Sequence, residues 1–355
     1  MEFAHKTAML VPGLWLIFFL VLLGPFANRW IERNLEAFLF AMGVLSATIS
    51  QAWSHELVQE GFIAPINITL AVLGAGVLFH YLRERIDRGM KRVLENVPLA
   101  AVICFGIIVL GLLSSLISAI IAALILVEFI NVLPLHRRSE VNLTIISCFA
   151  IGVGAALTPL GEPLSTIVVS KLSGEPHHAT FFYLARLLGI YAVAMIVVLG
   201  IVGSFLVRSS ADDTEPTLAA PETGEKIGTV FFRAARVYVF VMALIFLGAG
   251  FKPLIDLYLV KISSAVLFWA NVTSAILDNA TLAAAEIGPT LSEAQIKSAL
   301  WGLLIAGGML IPGNIPNIIA AHSLNIKSTE WARFGVPLGF VLMVLTAALL
   351  LLEII

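Results

Sequence analysis

Charge is what this sequence has least of. Charged side chains make up 12% of its 355 residues, against roughly 25% in a soluble domain. The few charges also nearly cancel: 21 Lys and Arg face 23 Asp and Glu, for a net charge of −2. No basic excess is available to neutralise phosphates, which excludes a nucleic-acid partner. Cysteine is equally scarce. The two present, Cys104 and Cys148, lie inside apolar runs, where a small buried side chain is expected rather than metal or redox chemistry. The first apolar run, through Leu23, lacks a small-residue cleavage site. It ends in Gly24-Pro25 and then Asn28-Arg29-Trp30, an interfacial pattern, and reads as a retained transmembrane helix.

Apolar residues account for 59% of the chain and mean hydropathy is +1.00. Apolar segments fall at 8–27, 36–53, 62–81, 97–134, 141–172, 179–207, 229–251, 261–288, 296–326 and 332–355. Repeated runs near the roughly 20 residues of a membrane span predict an all-α polytopic protein with the lipid bilayer as its solvent. One polar stretch, Ser209 to Lys226, breaks the pattern and reads as a linker between two halves. Positive charge sets the orientation. The cluster Arg83, Arg85, Arg88, Lys91 and Arg92 is placed in the cytoplasm, on a helix expected to lie in the interface plane. Arg29, Arg33, Arg137, Arg138, Arg208, Lys226, Arg233 and Arg236 join it on that side. The protein is thus expected to be multi-pass in an inner (plasma) membrane.

Crossing parity then gives the two halves opposite orientations. The expected organisation is N-terminal scaffold helices over 1–60, a first repeat over 61–208, a cytoplasmic linker over 209–228 and an inverted second repeat over 229–355. The first repeat contains a hairpin at 97–135 and a broken helix at 141–172. The second contains a hairpin at 261–289 and a broken helix at 296–326. For 97–134, two full helices with a tight turn and a re-entrant hairpin satisfy parity equally.

An inverted duplication should leave a trace in sequence. Ser118-Ala119-Ile120-Ile121 resembles Ser274-Ala275-Ile276-Leu277, and about 40 residues after each comes a glycine-centred break. The first is Thr158-Pro159-Leu160-Gly161-Glu162-Pro163-Leu164-Ser165-Thr166; the second is Leu310-Ile311-Pro312-Gly313-Asn314-Ile315-Pro316-Asn317. Proline removes a backbone donor and clashes with the preceding turn, so the helix breaks there. Broken helices persist in lipid only where protein or a wet cavity satisfies the freed groups, and those groups are suitable ion ligands.

Four carboxylates sit deep in apolar sequence: Glu128, Glu162, Asp278 and Glu286. An intramembrane acid costs about 2.5–3.5 kcal/mol on insertion scales, so each is a candidate for transport or proton coupling. Asp278 leads, because Ser274, Asp278, Asn279 and Thr281 form an oxygen-rich knot suited to a hard cation; it also suits a helix cap. Glu162 stands at the first break. Glu128 and Glu286 read equally well as helix-end groups that snorkel to the interface. His322 reads as interfacial, and His177-His178 as solvated loop. A carboxyl group in low dielectric holds its proton more tightly, and a bound Na⁺ opposes that. A site that takes either ion, never both, exchanges them.

At these residues the chain resembles a family. ALTPLGEPLS, SAILDNATLAAAEI and IPGNIPN are similar to signature segments of a predicted cation-transporter family in the ion transporter superfamily. Its relatives include NhaD-type sodium/proton antiporters, ArsB-type arsenite pumps and divalent-anion/sodium symporters. The resemblance covers about residues 60–355. It implies two inverted repeats, each with a re-entrant hairpin and a broken helix, a homodimer, and elevator-type movement against a scaffold. It also implies two half-sites. One comprises Ser114, Ser115 and Ser118 with Thr158, Gly161, Glu162, Ser165 and Thr166. The other comprises Ser274, Asp278, Asn279 and Thr281 with Gly313, Asn314 and Asn317, with Na⁺ held by Asp278, Asn279 and Asn314. The first tip lacks an Asp-Asn pair, and the Ser-Asn-Thr signatures of the anion symporters are not intact.

Exchange of a small monovalent cation, Na⁺ first, for protons is therefore expected, with no cofactor beyond the transported ions. The alternative is a Na⁺-coupled symporter of a small anion. No arginine lies near either motif, although Arg186 stands toward an outer rim, and this favours the cation. An intramembrane enzyme would want a Ser/His or paired-Asp constellation, and no such spacing is present.

Overall fold

A computed structural model describes residues 2–28, 30–31, 34–210, 227–258 and 263–352. The described chain is helical, without strands. In order come α1 (Glu2–Ala27), α2 (Leu35–Ile49), α3 (His55–Asn96), α4 (Leu99–Ile117), α5 (Ala119–Val132), α6 (Arg137–Ala155), α7 (Pro163–Lys171) and α8 (Tyr183–Ser210). Then follow α9 (Ile227–Tyr258), α10 (Ser264–Ala270) continued by a 3-10 turn Asn271–Ala275, α11 (Asn279–Glu286), α12 (Glu293–Met309), α13 (Ile315–Ser323) and α14 (Ser328–Leu351).

Four helices are long and apolar enough to cross a membrane by length and composition: α4, α8 over Tyr183–Leu206, α9 over Ala234–Leu254, and α14. Their outer faces carry exposed apolar side chains such as Phe105, Ile190, Phe205, Phe340 and Leu345. In water such a surface would aggregate; facing lipid, it is the expected exterior. This is an all-α membrane protein. The opposite case is α6 and α12, which beyond their polar first turns carry small or apolar side chains on almost every side and are buried along nearly their whole length. A helix without a polar face belongs inside other helices. Here α4 and α8 enclose α6, while α10 and α14 flank α12. A second body is formed by α2, α3 and α9, with α9 packed along both partners. An ion pair fixes it, Arg236 Nε to Glu36 Oε1 at 2.6 Å.

The region 97–134 is a hairpin that turns at Ser118, a non-glycine residue with φ of 76°. Its second leg, α5, has 14 residues, about 21 Å at 1.5 Å per residue, short of a hydrocarbon core about 30 Å thick. In the second hairpin both legs are shorter, with seven residues in α10 and eight in α11. The basic segment 82–95 is not a separate interfacial helix, as its amphipathic pattern had suggested. It continues α3 as one helix of 42 residues, because nothing between Pro65 and Pro98 stops the helix. The linker expected at 209–228 falls, over 211–226, outside the described residues, as do Arg29 and Arg33.

Candidate functional site

Both broken helices break where the prolines predict. α6 ends at Ala155 and α7 restarts at Pro163; α12 ends at Met309 and α13 restarts at Ile315. Glu162 and Asn314 are the N-cap residues of the restarted helices, both extended, with φ of −155° and −154° and no side-chain cap bond. Their side chains are thus released from capping. The glycine before each N-cap allows the chain to fold onto the helix it has just left. A Cβ on Gly161 would collide with the Ala155 carbonyl, and one on Gly313 would come within 2.5 Å of the Gly307 carbonyl.

Hydrogen bonds tie each hairpin to its own broken helix in the same way. Ser114 Oγ donates to Ile151 O at 2.9 Å, and Ser274 Oγ donates to Leu303 O at 3.2 Å. Each serine lies one helical turn before the hairpin tip, and each acceptor lies eleven residues before its N-cap. The tips match as well. Ser118 Oγ accepts from Ile121 N at 3.4 Å, and Asp278 Oδ2 accepts from Thr281 N at 3.1 Å, both as N-caps. Ser118 is therefore the counterpart of Asp278, and Ser114 that of Ser274. The similarity of SAII to SAIL had aligned Ser118 with Ser274, one turn out of register. It did so because a serine and an aspartate fill the same capping role.

Four helices, α5, α7, α11 and α13, bring their N-termini to one cavity of about 890 Å³. Ser118, Gly161, Glu162, Thr166, Asp278, Asn279, Thr281 and Asn314 all line it. Glu162 is buried, Asp278 half-buried. Asn279 stands beside Glu162, and the two carboxylates are close enough to interact electrostatically. Thr281 Oγ1 donates to Asp278 Oδ2 at 3.3 Å. The amide nitrogen of Asn314 fills the space beside Gly152 on α6, so the two broken helices cross at this level.

Other expected ligands sit behind the wall. Ser115 Oγ donates within its own helix to Leu112 O at 2.8 Å, while the Ser115 carbonyl accepts from Thr158 Oγ1. Ser165 bonds to Ala155 O, and Asn317 to Gly307 O and Leu310 O. With Ser274 and Gly313, these residues fix the breaks rather than face the cavity. Thr166 does face it, with its hydroxyl donating to Pro159 O at 2.7 Å. Glu128, half-buried on α5, and Glu286, buried at the end of α11, do not line it.

The rest of the wall was not foreseen. α9 contributes Val241, Leu244, Ile245, Gly248, Ala249 and Lys252, and α3 contributes Leu57, Glu60 and Ala64. A cationic side chain thus lines the cavity although no arginine lies near either motif. Lys252-Pro253 is visible in the sequence, but nothing there says which core elements that turn of α9 meets. Along α9 in the other direction, Ala123, Leu124, Ala234, Val237, Val241 and Ile319 form a buried apolar cluster next to the cavity wall. His177, expected to be solvated, packs on Tyr183 and bonds Leu291 O at 2.8 Å. His322 packs edge-on against Phe240. Among the described residues, no group of three or more His, Cys, Asp or Glu side chains could hold a metal ion. The oxygen donors at the cavity are carboxylate, amide and hydroxyl groups instead.

The family model that matches the chain, over residues 11–354, is described as a protein of unknown function (DUF1646). The chain belongs to that family. No curated protein matches it significantly.

Proposed function

We propose that this protein is a secondary active transporter exchanging a small monovalent cation, Na⁺ most readily, for protons. One observation carries the reading: Glu162, Asp278, Asn279 and Asn314, from one hairpin and two breaks distant in sequence, meet at a single cavity. Two buried or half-buried acids beside amide and hydroxyl oxygens suit a hard cation. Placing them between broken helices is the arrangement of ion-coupled transporters. The matched hydrogen bonds of the two halves support an internal duplication, and opposite charge-bias orientations support its inversion. In that frame α2, α3 and α9 are the scaffold, and the hairpins with the broken helices are the moving body. With Arg236 cytoplasmic, the apolar cluster along α9 lies on the cytoplasmic side of the cavity.

The test is transport by purified protein in proteoliposomes holding a pH gradient and an internal pH dye. Addition of Na⁺ should collapse the gradient, with Li⁺, K⁺ and anions tested separately. Silence to every monovalent cation would end this reading. A second reading, Na⁺-coupled uptake of a small anion, is favoured by the four helix N-termini and Lys252 at the cavity, since helix N-termini attract anions. Uptake of labelled anion that requires Na⁺ would select it.

A further inference from the structure

Glu286 is a buried acid that the cavity does not use. It ends α11, about two turns beyond Asp278 on the same helix, and is 8% exposed. Both carboxyl oxygens lack a hydrogen-bond partner. Its polar neighbour is Asn271, which is fully buried across the hairpin. Asn271 is itself anchored, with Nδ2 donating to Ala299 O at 3.0 Å, and its Oδ1 is without a partner.

The charged groups on the packed elements do not answer Glu286. Lys171, at the end of α7, reaches this end of α11 but bonds the carbonyls of Ala284 and Ile287. Glu293 and Lys297 on α12 and Lys252 on α9 form no hydrogen bond to it. The helix end is therefore neutralised by Lys171, and the carboxyl is left over. Nor does the fold require an acid here. With Ser118 matching Asp278, the place of Glu286 in the first hairpin is taken by Leu126 and that of Asn271 by Gly111, both buried. The same hairpin closes there on apolar contact alone.

We propose that Glu286, with Asn271, is a proton-binding site distinct from the cavity carboxyls, and that it relays protons between Asp278 and the face at which α11 ends. An ionised carboxylate without partners is strongly disfavoured in low dielectric, whereas the neutral acid supplies its own donor to a waiting acceptor such as Asn271 Oδ1. In one turn of the relay, Glu286 gives its proton to water at that face. Its carboxylate then takes, by way of water as the carrier between them, the proton that Asp278 releases on binding a cation. One proton leaves, one arrives, and no other group changes charge. The resting protonation of Glu286 stands by itself; the relay rests on the exchange reading.

Infrared difference spectroscopy of the purified full-length protein at neutral pH separates the two. Wild type should show a carboxylic-acid C=O component that shifts in Glu286→Asp, disappears in Glu286→Gln and survives in Asp278→Asn. An unchanged band in Glu286→Gln overturns the site; should that variant not fold, an unshifted band in Glu286→Asp does the same. Calorimetry with NaCl in two buffers of different ionisation enthalpy counts protons released on binding. Glu286→Gln should keep Na⁺ binding within about threefold while exchange in proteoliposomes slows at least about tenfold. Exchange at the wild-type rate overturns the relay. If wild type neither binds Na⁺ nor exchanges it, the function reading and its relay fail, while the infrared result still decides the protonated site.

Discussion

Ser165 and Asn317 occupy the same place in two different stretches of chain. Each stands one turn into a restarted helix and reaches back ten residues to the helix before the break. Ser165 Oγ meets Ala155 O at 3.4 Å, and Asn317 Nδ2 meets Gly307 O at 2.8 Å. Asn317 adds a second bond, to Leu310 O at 2.9 Å. The two breaks share a wiring plan and differ in how firmly it is fastened.

That difference predicts unequal stability effects. Asn317→Ala strands two carbonyl groups in the interior and should cost about 1–3 kcal/mol, whereas Ser165→Ala, losing one long bond, should cost less than about 1 kcal/mol. Denaturant unfolding in detergent checks the order. Equal losses would mean that the second break is not held by Asn317.

Asp278→Asn keeps the N-cap, since asparagine caps as well as aspartate, but removes the charge. The variant should fold and insert yet lose cation-dependent proton release altogether. Wild-type rates in Asp278→Asn and Asp278→Ala would take this residue out of the mechanism.

Glu162 shares the cavity with Asp278 and interacts with it, so the charge of one depends on the charge of the other. Glu162→Gln removes a neighbouring negative charge, and the remaining carboxyl becomes easier to ionise. Cation binding should persist and its onset should move to lower pH. Calorimetric titrations with NaCl across pH read this directly. An unmoved onset would leave Glu162 as a structural N-cap.

Lys252 separates the two transport readings. Under cation exchange, Lys252→Gln removes a repulsive charge from the cavity wall and should lower the Na⁺ KM several-fold with little change in maximal rate. Under anion symport the same substitution should abolish uptake.

Sidedness follows from charge bias. With the native cysteines replaced, Glu175→Cys should be labelled by an impermeant maleimide from outside intact cells and Glu215→Cys should be spared. The reverse pattern would invert the orientation.

The breaks were legible because each sets two prolines around a glycine, Pro159 and Pro163 about Gly161 and Pro312 and Pro316 about Gly313, whereas single prolines such as Pro65, Pro253 and Pro337 are carried inside unbroken helices. The acids were legible because lipid makes every buried charge conspicuous. What could not be read was direction. A hydroxyl beside a break can line a cavity or satisfy a freed carbonyl, and the letter S is the same for Ser118, which lines the cavity, and Ser114, which bonds Ile151 O. The contributions of α3 and α9 were hidden for a related reason. Glu60 and Lys252 lie near helix ends, where charge is ordinary, and only packing makes them walls of the cavity.

The brevity of α10 and α11, seven and eight residues, bears on biogenesis. Neither leg offers the insertion machinery a span, and their freed backbone groups cannot face lipid alone. On α12, which the ribosome delivers later, Ala299 O and Leu303 O accept from the side chains of Asn271 and Ser274. Until α12 is made, Asn271 and Ser274 lack these acceptors, so the folding of the segment carrying Asp278 and Glu286 depends on a helix that follows it in sequence.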